Sequence, residues 1–320
     1  MKIGIDIGNY QIKTSENIIF DSKVTTEKFF GTDADKLTLS NKTYYLGEGN
    51  LEIEARKFDK ENFLPLLLGA ICKSTDADTI DLALGLPIIQ FKDKETRTEL
   101  INMLQGNSYK VVYNNIPSTK FIRSVQVFPE GISGYLYLKN QGLLNAVGYR
   151  DAILIDVGGK TTDIALIKNN KATLPTSVNV GTIDIYYSIA KALRERYYDA
   201  KIDVEKIQDY LDKGFYYKGE KQDITFAINT TKVLFKQIYD ELKINYSIET
   251  EAVVVIGGGA KILGSAFKKN IPGIIIMENI DRDVFSYAWS GRLSILSQLK
   301  LSSTWISILS FKDFINLSLI

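Results

Sequence analysis

Two aspartates stand at the ends of apolar runs and are each followed two residues later by glycine. The first lies in Lys2-Ile3-Gly4-Ile5-Asp6-Ile7-Gly8-Asn9, and the second in Ile153-Leu154-Ile155-Asp156-Val157-Gly158-Gly159-Lys160-Thr161. A β-branched run that stops at a carboxylate and glycine predicts a strand ending in a tight turn. Glycine without Cβ lets backbone N–H groups close on a phosphate, and a carboxylate at the strand tip is placed to face the metal that accompanies it. Gly158 and Gly159 form the predicted turn, and Ile164 and Leu166 give the period-two signal of a returning strand.

The two stretches match residue for residue in part: Ile3 with Ile153, Ile5 with Ile155, Asp6-x-Gly8 with Asp156-x-Gly158. The chain therefore reads as two half-molecules, each presenting an acidic phosphate hairpin, and two such hairpins face to face would clamp a nucleotide between domains. A third glycine turn, Gly257-Gly258-Gly259, follows the apolar run Ala252–Ile256 and precedes a helical stretch from Ala260 to Lys268. It is either a tight strand-to-helix connection or a place where a base or ribose approaches closely. Gly181-Thr182 opens a helix with Ile185, Ile189, Leu193 and Tyr197 at spacing four, which puts N-terminal amides where an anion or ribose could sit. Glu130, in Pro129-Glu130-Gly131, falls at a strand-to-helix junction. It projects either into a cleft or along a helix start, where the macrodipole favours an acid.

Other nucleotide motifs fail on spacing. A P-loop ending at Gly159-Lys160-Thr161 needs glycine where Leu154 stands, and Thr161 to Ile167 continues as a strand where a P-loop feeds a helix. The dinucleotide fingerprint has Ile262 in place of its third glycine. A protein-kinase catalytic loop wants histidine, and the chain has none.

The elements that must position these residues follow from periodicity. Strands are predicted at 18–20, 24–30, 42–46, 80–86, 109–114, 121–128, 171–174 and 274–277, with helices over 59–74, 93–106, 203–213, 223–243 and 283–299. The 223–243 stretch carries Ile224, Ile228, Thr231, Phe235, Ile238 and Leu242 at four-three spacing and reads as one long amphipathic helix with a core-facing stripe. The apolar tail 301–320, with Trp305, Phe311 and Phe314, reads as a terminal helix packed on its own domain. A membrane-surface helix would want more Lys and Arg on its polar face, and a subunit contact is the remaining alternative.

Composition bounds the chemistry. A chain of 320 residues favours two domains. Hydrophobic and charged fractions of 45% and 24% are those of an ordinary globular protein. The net charge of +1 gives no bulk attraction to nucleic acid. The single cysteine, Cys72, excludes an intrachain disulfide framework and, with no leading apolar segment, favours the cytoplasm. Without histidine, catalysis must rest on carboxylates, lysine, backbone amides and a hard cation such as Mg²⁺. No apolar run approaches the ~20 residues of a membrane-spanning helix.

In this order the motifs resemble the actin, sugar-kinase and heat-shock-chaperone ATPase superfamily, and within it the bacterial plasmid-segregation actins of the ParM type. Asp6 to Lys13 is similar to the first phosphate loop, with Lys13 seven residues after Asp6. Pro129-Glu130 is similar to the first connecting segment, Asp156 to Asp163 to the second phosphate loop, and Gly257 to Gly259 to the adenosine loop. Leu84-Gly85-Leu86-Pro87 before a charged helix is also ParM-like.

The resemblance implies an α/β, two-domain actin-like fold of ribonuclease-H-like repeats with the nucleotide in the interdomain cleft. Residues 1–150 would form the first domain, with a small subdomain within 25–80 and completed by 284–320; residues 151–283 would form the second. It implies ATP and Mg²⁺, with Asp6 and Asp156 holding the metal and Lys13 neutralising phosphate. Gly8, Asn9, Gly158, Gly159, Lys160 and Thr161 would supply donors, and Glu130 would orient the attacking water. The tail 301–320 fits no family pattern.

The expected function is that of a cytoplasmic filament-forming ATPase that segregates plasmid DNA. Its partners would be further copies of itself and a DNA-binding adaptor that reaches centromere DNA, without stable membrane contact. The alternatives are a membrane-associated actin-like protein of cell shape or division, and a small-molecule kinase of the same fold. No carboxylate or aromatic constellation identifies a second substrate pocket for the latter.

Overall fold

A computed structural model describes residues 1–277 apart from positions 29, 30, 32, 53, 55, 149 and 170. The helix expected at 283–299, the tail 301–320 and the expected completion of the first domain by 284–320 lie outside the described residues.

Strands β1 (Lys2–Ile7), β2 (Gln11–Thr14), β3 (Ile19–Asp21), β4 (Lys23–Thr25), β5 (Lys36–Leu39), β6 (Lys42–Leu51), β7 (Thr79–Leu86), β8 (Ser108–Tyr113) and β9 (Ile116–Pro129) form one sheet. Its order is β3-β2-β1-β7-β9-β8-β5-β6-β4. In the second half come β10 (Ala152–Val157), β11 (Thr162–Lys168), β12 (Lys171–Val178), the hairpin of β13 (Phe215–Tyr217) and β14 (Glu220–Gln222), then β15 (Ala252–Ile256) and β16 (Ile275–Ile276). The second sheet runs β12-β11-β10-β15-β16.

Both sheets contain the same unit: an antiparallel meander with two strands added parallel to its first, β3-β2-β1-β7-β9 and β12-β11-β10-β15-β16. The duplication inferred from the two Asp-x-Gly stretches is thus a duplication of topology. It defines an α/β fold of two topologically equivalent repeats, as the expected two-domain architecture requires. Parallel strands covered on both faces need continuous apolar runs, and Ile3, Ile5, Ile153, Leu154 and Ile155 are all fully buried.

The helices are α1 (Phe63–Ser74), α2 (Ile88–Lys92), α3 (Lys94–Leu104), α4 (Ile132–Asn140), α5 (Thr182–Arg196), α6 (Ile207–Lys213), α7 (Thr225–Ile228), α8 (Lys232–Asn245) and α9 (Ala260–Asn270). Asp93 caps α3, accepting from the amides of Glu95 and Thr96. The long helix expected over 223–243 is instead broken into α7, a 3₁₀ turn Asn229–Thr231, and α8. Thr230 and Thr231 turn their hydroxyls back onto the carbonyls of Ala227 and Ile228, and hydroxyls bonding the local backbone in this way compete with the helix. The strand β5 and the β13-β14 hairpin carry no sequence expectation.

One core lies within the first sheet's layers, built on Ile3, Ile5, Leu67, Leu82 and Ile122. A second covers one face of the second sheet, with Ile155, Ile185, Leu193, Ile238 and Phe267. The opposite face packs against α4: Ile132, Tyr135 and Leu138 join Leu154, Ala165 and Val254 in a third cluster. Residues 132–147 therefore share their core with the second sheet, although they precede the expected boundary at 150.

Candidate functional site

The ends of β1, β9, β10 and β15 converge on a cleft of about 970 Å³ between the two repeats. Asp6, Gly8, Asn9 and Lys13 line one wall; Asp156, Gly158, Gly159, Lys160 and Thr161 line the other; Thr182, Gly257 and Gly258 complete the floor. Glu130, held by its amide on the carbonyl of Leu86 at 2.8 Å, also faces this space and does not lie along a solvated helix start. Gly181 and Gly259 are not part of the lining.

Each loop is closed by its own backbone. Gly158 donates to the carbonyl of Thr161 at 2.9 Å, and a Cβ at Gly8 would sit 2.5 Å from the carbonyl oxygen of Gln11. The two loops approach one another closely, since a Cβ on Gly159 would stand 3.3 Å from Tyr10. Tyr10 in turn meets Tyr186 of α5 edge-on at 5.9 Å, so the aromatic contact crosses from one repeat to the other.

The N-terminus of α5 serves differently from expectation. The amide of Gly181 donates to Asp184, that of Thr182 to the carbonyl of Gly158 at 2.9 Å, and that of Ile183 to Gly159 at 2.9 Å. The amides of Thr182 and Ile183 brace the second loop from behind, and none of the three is presented to a ligand. A side chain at Gly181 would overlap Gly159 and Lys160 at 2.5 Å, which is why glycine is needed. Lys160 extends its ammonium to Asp184 at 3.1 Å.

The third glycine turn divides its labour. Gly257 adopts φ +89°, and a Cβ there would lie 2.5 Å from Asp156 Oδ1; a Cβ on Gly259 would fall 2.2 Å from Val157 Cγ1. These two glycines let the turn pack on β10. Gly258 alone has an open face, its nearest neighbour being Thr182 Oγ1 at 4.0 Å.

The charge arrangement contains a residue without a sequence expectation. Lys57, only 9% exposed, donates to Asp6 Oδ1 at 3.1 Å and Glu130 Oε1 at 2.6 Å. Asp6 was expected to face a cation from solution, yet its near partner is this ammonium, because two carboxylates this close under burial require a positive charge between them. Burial works against the Lys57 ammonium, but Asp6 and Glu130 override it and hold its pKa above that of an ordinary lysine. Burial pushes the Glu130 carboxyl up to about 7, against the pull of Lys57 and with the help of Asp6. Burial likewise raises Asp163, whose Oδ1 has no protein partner, while Ser177 donates to the carboxylate and opposes the shift.

Lys60, buried beside Lys57, is lowered to about 8 by burial and by its neighbour's charge, and its ammonium reaches the Gly8 carbonyl at 3.5 Å. Asp163 had a signal in the sequence, since it stands seven residues after Asp156 as Lys13 stands after Asp6. Lys57 had none, since it stands just ahead of the helix predicted over 59–74 and in no motif. Gln208, Asp212 and Lys261, at the far end of the cleft, were also outside the sequence reading; Lys261 pairs with Asp212 at 2.5 Å.

The donor set fits a metal nucleotide. Among the described residues no three carboxylates or thiolates gather to hold a cation by themselves. Mg²⁺ ordinarily takes one or two carboxylates and completes its shell with water and phosphate oxygens. Asp156 with the unpartnered buried oxygen of Asp163 meets that need, and the unpartnered Asn9 Oδ1 and the bare face of Gly258 leave polar and steric room for a ligand.

Two family models match the chain. "Actin like proteins N terminal domain" takes in residues 4–132, and "Archaeal actin homologue MreB-like, C-terminal" takes in residues 154–269. With the duplicated topology and the cleft between the repeats, they place the chain in the actin-like ATPase superfamily.

Among solved structures, the archaeal actin homolog Ta0583 in complex with ADP aligns at TM-score 0.75 and 18% identity, over 91% of this chain and 99% of that one. A 15-stranded ParM filament from Clostridium botulinum aligns at TM-score 0.69 and 21% identity, over 91% and 99%. The Alp12 filament aligns at 0.64 and 17%, over 92% and 98%. At these identities the likeness carries the fold. No curated protein matches the chain by sequence.

Proposed function

We propose that this chain is a cytoplasmic, filament-forming ATPase that binds Mg²⁺-ATP in the cleft, polymerises with it, and segregates plasmid DNA through a separate DNA-binding adaptor. The observation that carries the reading is the convergence of Asp6, Lys57, Glu130, Asp156 and Asp163 on the space between two glycine-rich hairpins. An ADP-bound archaeal relative of the fold and filaments of ParM and Alp12 support it.

Phosphoryl transfer asks mainly for positioning and charge neutralisation, so a cleft without histidine suffices. When bound, Mg²⁺ supplies charge neutralisation at the transferring phosphoryl group. On the protein side, Lys13 and the loop amides of Gly8, Asn9, Gly159 and Thr161 hold phosphate oxygens, with Gly158 closing the second loop beneath them. Asp156, with Asp6, would hold the metal through water. Glu130, fixed through Oε1 by Lys57, orients the attacking water and takes its proton on the other oxygen. Gly257 and Gly258 border the nucleoside.

The charge supports an adaptor. A net charge of +1 on 320 residues gives no bulk attraction to DNA phosphates. The test is light scattering and sedimentation with Mg²⁺-ATP, ADP or no nucleotide. Assembly only with ATP, followed by phosphate release, is the expected outcome, with duplex DNA co-sedimenting only in the presence of the adaptor. ATP binding without assembly, together with transfer of phosphate to a small acceptor, would replace this reading by that of a kinase.

A further inference from the structure

Lys57 sits on a 3₁₀ turn, Lys57–Asp59, between β6 and α1, and the chain around it is pinned from several sides. Arg56 grips Asp59 with two hydrogen bonds at 2.7 Å and reaches Glu99 of α3 at 2.6 Å, while its guanidinium lies 4.7 Å from the centre of the Phe58 ring. Phe58 is buried and meets Phe63 of α1 edge-on at 6.4 Å. With its neighbours on both sides fixed, the lysine side chain is directed into the cleft. There it joins two carboxylates from different strands: Asp6 from β1 and Glu130 from the end of β9, with β7 between them in the sheet.

An ammonium buried only to staple two elements needs one carboxylate. Lys57 has two, and both face the cleft. A carboxylate that must present one oxygen to a water in one orientation gains from having its other oxygen held by a fixed donor, because hydrogen-bonded neighbours lock the geometry of an active group. Asp163 and Asp6 add negative potential at Glu130, so the Lys57 ammonium, in direct contact with it, is also a local counter-charge, with Lys60 beside it.

We propose that Lys57 is a positioning residue for nucleotide hydrolysis, holding Glu130 by Oε1 so that the attacking water meets one acceptor in one orientation. It acts from the small turn between β6 and α1, outside both phosphate loops. This rests on the ATPase reading above.

The experiment is a two-by-two cycle of Lys57→Met and Glu130→Gln, with Lys57→Arg as the charge-retaining variant. Affinity for ATP is measured by calorimetry, folding by thermal denaturation, and turnover by steady-state phosphate release. Lys57→Met is expected to keep ATP affinity within about threefold while kcat falls on the order of 10²-fold, the scale of losing a positioned acid–base group. Lys57→Arg is expected to restore at least tenfold of that loss. In the Glu130→Gln background the same Lys57→Met change is expected to cost less than threefold, because the residue it positions is gone.

Lys57→Met leaves two facing carboxylates, so the double variant, with one, keeps the comparison available if the single variant melts early. Multiplicative losses in the cycle would overturn the proposal, as would an unaffected kcat in folded Lys57→Met or a loss of ATP affinity equal to the loss in kcat. A wild type that binds no ATP overturns the ATPase reading and this proposal together. A wild type that hydrolyses ATP alongside an equally active Lys57→Met overturns this proposal alone.

Discussion

Lys13 and Asp163 occupy the same place in the two repeats: each is the cross-strand partner of a loop aspartate, Lys13 opposite Asp6 and Asp163 opposite Asp156. The duplicated hairpin thus carries opposite charge at one equivalent position. The first loop pairs acid with base, whereas the second pairs acid with acid and leaves Asp163 Oδ1 without a protein partner. A buried oxygen of that kind is costly unless a cation or water completes it.

On the proposed reading the cation is held chiefly by the second loop, since Asp6 is already engaged by Lys57. Asp156→Asn is expected to weaken Mg²⁺-ATP binding at least tenfold, and to leave metal-free ATP binding unchanged or tighter, because one negative charge leaves the cleft. Asp163→Asn should behave in the same sense with smaller amplitude. Calorimetry with Mg²⁺ and with EDTA decides it; equal losses in both conditions would show that these carboxylates serve only the fold.

Gly258 and Gly259 separate binding from packing. Alanine at 259 places Cβ 2.2 Å from Val157 Cγ1, and overpacking of this kind costs about 1–3 kcal/mol. Alanine at 258 meets nothing closer than 4.0 Å and points into the space where a ligand would lie. Gly259→Ala should lower the thermal midpoint, while Gly258→Ala should leave it within a degree or two and weaken nucleotide binding. Reversed outcomes would place the nucleoside elsewhere.

Much of this was legible in the sequence because it is local. Asp6-x-Gly8, Asp156-x-Gly158 and the glycine triplet are runs of adjacent residues whose strand-turn character follows from side-chain type, and the repeat exposed the duplicated topology. What was not legible depends on distant partners. Lys57 looks solvated until Asp6 and Glu130, 51 and 73 positions away, fold onto it. The amides opening α5 read in sequence as offered to an anion, yet that of Gly181 is taken by Asp184 and those of Thr182 and Ile183 by the carbonyls of the second loop. The apolar stripe of 223–243 has the right period but not the right backbone, because adjacent threonines bond their own turn.

Glu130 gives a pH dependence of known sign. Its folded pKa of about 7 exceeds the ordinary carboxyl value of 4.5, so between these pH values the folded chain holds a proton that the unfolded chain has lost. Stability from this group is therefore fully present below 4.5 and declines as pH rises through 7. Hydrolysis needs the ionised carboxylate and should move the opposite way, rising through an acid limb near 7. Phosphate release and melting temperature measured from pH 5 to 9 test both signs. In Glu130→Gln the limb should vanish from the residual rate, and a limb that persists belongs to another group.

The halves of the molecule are also joined outside the phosphate loops. Lys23 of β4, with its side chain 6% exposed, reaches Glu205 at 2.5 Å and Asp21 at 3.5 Å. Glu205 lies on the 3₁₀ turn Val204–Lys206 that leads into α6, whose Gln208 and Asp212 border the cleft. The pair therefore links the first sheet to the element walling the far end of the nucleotide space. Glu205 is nearly half exposed, so solvent screening holds the coupling to about 1 kcal/mol, the upper end for exposed pairs. That corresponds to roughly a fivefold effect on an opening equilibrium. Lys23→Ala and Glu205→Ala are each expected to speed release of a fluorescent nucleotide severalfold, and the double variant should release no faster than either single one. Exchanging the charges, Lys23→Glu with Glu205→Lys, should recover part of the slow release. Raising the salt should bring wild type toward the single variants, since screening acts only where the pair exists. Release rates that are equal in all five proteins would show that the ion pair forms without controlling how the cleft opens.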